Sequence, residues 1–288
     1  MTQVALATCA ELRQLDEDER LVLPELQRLG VDAAVEVWDD ESVEWDAYQL
    51  VVIRSTWDYQ DRRELYLRWA ARLPRVLNPL PALVWNTDKT YLRELAARGV
   101  ECVATSWIEP GTDIDALALP GGEVVVKPAV SAGSRNTERY TSVREPAARA
   151  HMQRLLDAGH TVMVQPYIAS VDAEGESSLL FIDGEYSHAI NKAATLLEPG
   201  AAEGRLFAPE VITPAVPAPD DRAAAEQVLD LLQRPRAELL YARVDFVHGD
   251  GGRPLLLEIE LTEPSLFFAH GDGAAARFAG AVARRLAD

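Results

Sequence analysis

ELLYARVDFVHGDGGRPLLLEIEL, residues Glu238–Leu261, reads as two extended apolar runs folded about Gly249–Gly252. Asp245 falls on the first run, and Glu258 and Glu260 fall on the second. Side chains of a strand alternate between faces, so Glu258 and Glu260, two apart, share one. If Asp245 pairs near them, three carboxylates converge on one face of a sheet. Their flanks, Val244, Phe246, Leu256, Leu257, Ile259 and Leu261, are apolar. Carboxylates in such surroundings are costly without a counter-charge. Hard oxygen donors with no His or Cys beside them favour Mg²⁺ over zinc. The alternative is a solvent-facing strand with acids at alternate positions. Arg243 shares the face of Asp245 and either neutralises phosphate charge or pairs with an acid.

Upstream, GESSLLFIDGEYSHAINK (Gly175–Lys192) is a second hairpin, turning at Asp183–Gly184. Before it, TVMVQPYI ends a strand in Gln165-Pro166-Tyr167-Ile168, a hinge whose backbone could hydrogen-bond a flat heterocycle. EVVVKPA (Glu123–Ala129) is a strand carrying Lys127, followed by Ser131-Ala132-Gly133-Ser134. Small residues there let backbone N–H groups approach phosphate oxygens, and a lysine at the strand end can reach them. This is not the GxxxxGK[ST] phosphate loop, and an edge-strand lysine reaching solvent is the alternative. A helix is predicted from Asn86 or Thr87 to about Arg98, with Lys89 in its first turn. A cation there is disfavoured unless an anion lies near; otherwise Lys89 is a surface residue. Helices are also predicted over Pro146–Ala158, Asp220 to about Gln233, and Asp272–Leu286. Pro199–Pro219 holds five prolines and is predicted to be a long loop.

The first 80 residues alternate strand and helix. VALATC (Val4–Cys9), DAAVEVW (Asp32–Trp38) and YQLVVIR (Tyr48–Arg54) are apolar runs of strand length. A helix starting near Pro24 and stopping at Gly30 separates the first two. DRRELYLRWAARL places Leu65, Trp69 and Leu73 on one helical face. This alternation implies a parallel, doubly wound sheet. Ligands of such sheets bind beyond the carboxyl ends of the strands. RSTWDY (Arg54–Tyr59) is therefore a candidate substrate contact. Arg54 could grip a carboxylate bidentately, Asp58 could hold an ammonium, and Thr56 lies between them; Glu11, after the first strand, could face the same cleft. The alternative is a buried aromatic turn with a structural ion pair. Cys9 reads as a packed thiol. NPLP (Asn78–Pro81) marks a break.

The order of these signals is informative. A lysine before a helix, a strand lysine with a small-residue loop, a Q-P-Y-I hinge, the GESSLLFIDGEYSHAINK hairpin, then R-V-D and L-E-I-E resemble the ATP-grasp superfamily of carboxylate–amine ligases. The resemblance covers roughly residues 80–288, and the first 80 resemble its usual N-terminal partner domain. It implies an α/β and α+β ATP-grasp fold divided at 1–80 and 81–288. Within the second part it implies a small lid at about 115–168 and a metal-binding part at about 169–288. It implies an enzyme using ATP and Mg²⁺ to make an acyl phosphate, which a nitrogen nucleophile displaces. Lys89 and Lys127 would contact the phosphates under the 131–134 loop. Gln165, Tyr167 and Ile168 would hold adenine, and Glu176 or Asp172 the ribose. Lys192 would approach phosphates or substrate, Arg243 would stabilise the transferring phosphoryl group, and Asp245, Glu258 and Glu260 would hold Mg²⁺. Many members have E-x-N where this chain has E-x-E. RSTWDY, WNTDK and LEIELTEPSLFF are similar to antibiotic-pathway members, in particular cycloserine-forming O-ureido-serine cyclo-ligases. In those the nucleophile belongs to the same molecule. Trp57 and Tyr59 would then shield the acyl phosphate from water. An intermolecular amide ligase and a regulatory ATP-binding module remain as other readings.

Composition bounds the partners. The 288 residues carry 28 basic and 46 acidic side chains, a formal charge of −18. Such a chain repels nucleic acid and anionic lipid, but a small anion can still meet a locally positive cleft. No apolar run approaches the ~18 residues of a membrane span. The N-terminus lacks the basic, then apolar, pattern of a signal peptide, and two cysteines make no disulfide framework. A cytoplasmic protein with a small amino-acid-like substrate is expected, and a homo-oligomer by resemblance.

Overall fold

A computed structural model describes residues 3–193 and 211–287. The chain begins with β1 (Val4–Thr8), α1 (Val22–Arg28), β2 (Ala33–Val37), β3 (Leu50–Ile53), α2 (Arg63–Ala70) and β4 (Val76–Leu77). The four strands are parallel in the order β2-β1-β3-β4. Alternation along β1 and β3 decides what covers each face. Ala5, Ala7, Val51 and Ile53 pack with Trp38, Tyr66 and Trp69 on the α2 side. Val4, Leu6, Leu50 and Val52 face the other way, in a core shared with Phe278 and Val282 of the last helix.

Two short helices follow, α3 (Leu80–Asn86) and α4 (Tyr91–Ala97). This corrects the single helix expected from Asn86 or Thr87 to Arg98. Pro81 lies in the first turn of α3, where proline is tolerated because that N–H has no helical partner. Between the helices Asp88 accepts the Thr90 N–H (3.0 Å) and the Lys89 N–H bonds to the Ala129 carbonyl (2.9 Å). Those bonds draw the chain out of helical geometry, and Lys89 precedes α4 rather than lying in its first turn.

The middle of the chain forms an antiparallel sheet, β5-β8-β6-β7. Its parts are β5 (Ser106–Ile108), β6 (Val124–Pro128), β7 (Glu138–Tyr140) and β8 (Val162–Pro166), with α5 (Pro146–Asp157) inserted. Met152, Leu155 and Leu156 of α5 pack on Val124, Val126, Val162 and Val164. After α6 (Val171–Glu174) comes the largest sheet, from β9 (Glu176–Ile182), β10 (Glu185–Lys192), β11 (Ile212–Ala215), β12 (Tyr241–His248) and β13 (Pro254–Glu260). Its order is β11-β10-β9-β12-β13, all antiparallel. α7 (Pro219–Asp230) covers one face through Ala225, Val228 and Leu229. α8 (Ala274–Ala287) returns to pack on α1. Much of the loop expected over 199–219 lies outside the described residues, but its last part is ordered differently. Residues 212–215 pair as β11 with β10, and Pro219 opens α7. Among the described residues no helix is long and apolar enough to cross a membrane.

Candidate active site

A cleft of ≈ 360 Å³ lies where the three sheets meet. Its floor is the β12–β13 hairpin. Register places Asp245 opposite Glu258 and Arg243 opposite Glu260, with a β-bulge just after Asp245. One oxygen from each of Asp245, Glu258 and Glu260 lies within 4.8 Å of the others. The three carboxylates expected to converge do so, and Asp245 is fully buried.

Cations surround them. Arg243 donates from Nε to Asp245 Oδ1 (3.0 Å) and from Nη2 to Oδ2 (2.9 Å), and it also bonds Glu260. Lys192 Nζ lies 3.1 Å from Asp245 and 3.3 Å from Glu176. Lys89 Nζ lies 3.4 Å from Glu258 and donates to the Ser131 carbonyl (2.8 Å). Burial alone would raise the Glu258 carboxyl, but Lys89, Lys127 and Lys192 hold it well below the usual range. Asp245 is likewise lowered, with burial outweighed by Arg243 and Lys192. Glu260 goes the other way: burial lifts it well above its ordinary value despite Arg243, and Glu258 repels it further. Lys127 is lowered by burial, with Lys89 repelling it and Glu258 attracting it. Hard oxygens from buried Asp245 and half-buried Glu258 and Glu260, close enough to share one ligand, suit a divalent cation bound by oxygen.

The rest of the cleft wall comes from the β5-β8-β6-β7 sheet and the elements around it. Ser131, Gly133 and Ser134 line it, as do Gln165, Tyr167, Ile168 and Glu176. Gly133 and Ser134 both have φ of 58°, a left-handed turn that small residues ease. The Tyr167 N–H bonds to the Glu123 carbonyl (2.9 Å), so this backbone group is spent within its own sheet region rather than in the cleft. Asp172 accepts the Tyr167 hydroxyl (2.5 Å) and pairs with Arg139 (3.2 Å). Glu176, unlike Asp172, is in the cleft wall.

The four expected substrate contacts lie elsewhere. Arg54 is 2% exposed. Its guanidinium pairs with buried Glu19, bonds the Pro264 carbonyl (2.8 Å) and stacks over Tyr241 and Phe278. Thr56 is fully buried and donates to Tyr66 (3.1 Å). Asp58 accepts the Trp38 indole N–H (2.7 Å) and pairs with Arg62 (2.6 Å). Glu11 is exposed, and none of the four lines the cleft. The alternative reading of RSTWDY, an aromatic turn with a structural ion pair, is the one the structure adopts. Its aromatics do reach the site, since Trp57 and Tyr59 line the cleft.

Sequence reasoning missed Glu263, Asn86 and Tyr91. Asn86 donates to the Ile259 carbonyl (2.7 Å) and accepts the Leu261 N–H (2.6 Å), flanking Glu260. The Tyr91 hydroxyl donates to the same Ile259 carbonyl (2.8 Å) and accepts its N–H (3.0 Å). The acid-rich run LEIELTE carried the signal for Glu263; nothing local marked the other two.

Comparison with known proteins bears on this geometry. Residues 4–80 match the family described as D-cycloserine synthetase DcsG, N-terminal domain. The chain is 38% identical over 302 residues to the cycloserine biosynthesis protein DcsG of Streptomyces lavendulae, covering 98% of each. It superposes on the crystal structure of D-cycloserine synthetase DcsG with a TM-score of 0.86 at 37% identity, over 98% of this chain and 99% of that one. A RimK domain ATP-grasp protein from Sphaerobacter thermophilus aligns over 99% of this chain and 100% of its own. Its TM-score of 0.66 at 16% identity speaks to the fold alone.

Proposed function

Because this chain belongs to the DcsG family of ATP-grasp ligases, we propose that it closes the cycloserine ring from an O-ureido-serine at the expense of Mg-ATP. A carboxylate is a poor electrophile, so the γ-phosphoryl group is first transferred to it. The nitrogen bonded to the side-chain oxygen then attacks the acyl phosphate, the C–N bond forms and phosphate leaves; water then removes the carbamoyl group from that nitrogen as carbamate, which gives ammonia and carbon dioxide. What supports the reading is one observation: three lysines and an arginine line the same cleft as a carboxylate triad, Asp245 buried and Glu258 and Glu260 half-buried.

In this reading Asp245, Glu258 and Glu260 hold Mg²⁺, which when bound spreads the charge of the transferring phosphoryl group. Lys89 and Lys127 contact the phosphates, with the backbone of Ser131, Gly133 and Ser134 over them. Arg243 and Lys192 neutralise charge that develops during transfer. Gln165, Tyr167 and Ile168 border the base. Glu176 takes the ribose, since Asp172 is already engaged by Tyr167 and Arg139. Trp57 and Tyr59 exclude water from the acyl phosphate. The substrate's own charged groups meet side chains other than Arg54, which Glu19 and Pro264 occupy.

ADP release should appear with O-ureido-serine and no added amine, and mass spectrometry should find the cyclic product. Lys89→Ala, Lys127→Ala and Glu258→Ala should each reduce ADP release by ~100-fold or more, the scale of losing one preorganised charge. A strict requirement for a second amine would sink the intramolecular reading. ATP binding without turnover on any amino acid would sink the enzyme reading.

A further inference from the structure

The turn that follows the acidic strand is held at four successive carbonyls. The Tyr241 hydroxyl donates to Thr262 O (2.9 Å) and the Trp57 indole to Glu263 O (2.9 Å). Arg54 donates to Pro264 O (2.8 Å) and Arg243 to Ser265 O (3.2 Å). These donors come from β12 and from the loop after β3, all of them buried side chains. A turn fixed this way can aim a side chain without a helix or strand beneath it. The side chain it aims into the cleft is Glu263, which is 7% exposed. The Tyr59 hydroxyl bonds its carboxylate, and Lys89 is the chief cation facing it. Lys89 also lies 3.4 Å from Glu258. Glu263 therefore shares the cleft with Lys89, Glu258 and Glu260 and with the aromatic wall of Trp57 and Tyr59.

A small acyl group whose phosphate lies among Lys89, Lys127 and the triad would share that cleft with Glu263. The inference rests on the ring-closing reading above. A nitrogen between an oxygen and a carbonyl is amide-like, and it becomes an adequate nucleophile only as it loses its proton. We infer that Glu263 is the catalytic base that accepts this proton during ring closure. The N–C bond forms, the C–O bond to phosphate breaks with its electron pair leaving on phosphate, and the proton passes to Glu263; the carbamoyl group still on the ring nitrogen is then cleaved by water and leaves as carbamate, which gives ammonia and carbon dioxide.

The surrounding charges are consistent with that task. Lys89, Arg243 and Tyr59 favour the carboxylate, Glu258 and Glu260 oppose it, and Tyr66 and Tyr241 stay protonated nearby. Burial raises Glu263 to about 7 against the pull of Lys89 and Tyr59. A base works best with a pKa near the working pH.

The test uses the full chain with Mg-ATP, O-ureido-serine and hydroxylamine, which needs no base because it is unprotonated at neutral pH. Glu263→Gln should lower cyclic product by ~100-fold or more, a usual share for general base catalysis. Trapping as the hydroxamate should continue close to the wild-type rate. Loss of hydroxamate together with product, or product within roughly tenfold of wild type, overturns the role. If Glu263→Gln does not fold, Glu263→Asp replaces it. There the hydroxamate-to-ring ratio should rise about tenfold or more, and an unchanged ratio overturns the role. Failure of the wild-type protein to form any hydroxamate or ADP would instead refute the ligase reading itself.

Discussion

Glu263 and Arg54 illustrate what burial does to a single charge. Arg54 is far from solvent, yet it is paired, stacked and hydrogen-bonded, so its charge is compensated. Its work is to fix the turn that carries Glu263. Glu263 is less well compensated, and its folded pKa of about 7 exceeds the ordinary 4.5. A raised folded value means the fold prefers the protonated form. That preference contributes fully below about pH 4.5 and is lost as pH climbs through about 7. The shift corresponds to about 3 kcal/mol at 1.36 kcal/mol per unit. Glu263→Gln, always neutral, should therefore be more stable than wild type at pH 8, by up to that amount, and not at pH 4. Urea unfolding at the two pH values checks this, and an equal difference at both would contradict it.

At the scale of elements, the two hairpins and β6 are legible because their cues are local. Alternating acids on β13, Asp183–Gly184 between apolar runs, and Lys127 ending β6 need no distant information. The bulge after Asp245 was not legible, since a one-residue slip costs nothing in the pattern yet sets which pairs face each other. The break between α3 and α4 was missed for a similar reason: the Ala129 carbonyl that captures Lys89 comes from another sheet. The junction of α6 and β9 shows how tightly one element can be tied to the site. Gly175 has φ of +72°, and a Cβ there would stand 2.3 Å from the Lys192 carbonyl oxygen. Gly175→Ala must shift Glu176 or Lys192, its neighbours in sequence and space. The expected cost is about 1–3 kcal/mol from the backbone conformation, with weaker ATP binding. Thermal unfolding and ATP titration measure both; unchanged ATP affinity would separate this turn from the nucleotide site.

Across the whole molecule, the regions meet through the apolar core that the parallel sheet shares with the last helix and through a few polar contacts. Asn78 bonds Leu240 N (2.7 Å), Tyr241 O (2.8 Å) and Leu261 O (2.7 Å), joining the parallel sheet to the floor of the cleft. The 131–135 loop docks on the opposite rim. Gln60 Oε1 accepts the Ala132 N–H (2.7 Å), and Arg135 pairs with Asp61 (2.8 Å). Gln60→Ala should loosen this loop while leaving the cores intact. Proteolysis within 131–136 should quicken several-fold and be slowed again by Mg-ATP, because local opening sets the cleavage rate. Cleavage unchanged in the variant would mean that this contact does not hold the loop.

The acidic chain, −18 overall, thus encloses a cleft lined by Lys89, Lys127, Lys192 and Arg243. The alternation of strands and helices, the two hairpins, and the acids and lysines near strand ends are written in local stretches of the chain. Those follow from period, turn chemistry and apolar runs, all read within a few residues. The fate of RSTWDY and of LTEPS is set by long-range packing. The partners of Arg54 lie 35 and 210 residues away, and whether a charge is buried, paired or presented to a cleft depends on such distant neighbours. Periodicity fixes the face a side chain takes; what meets that face is settled only when the sheets come together.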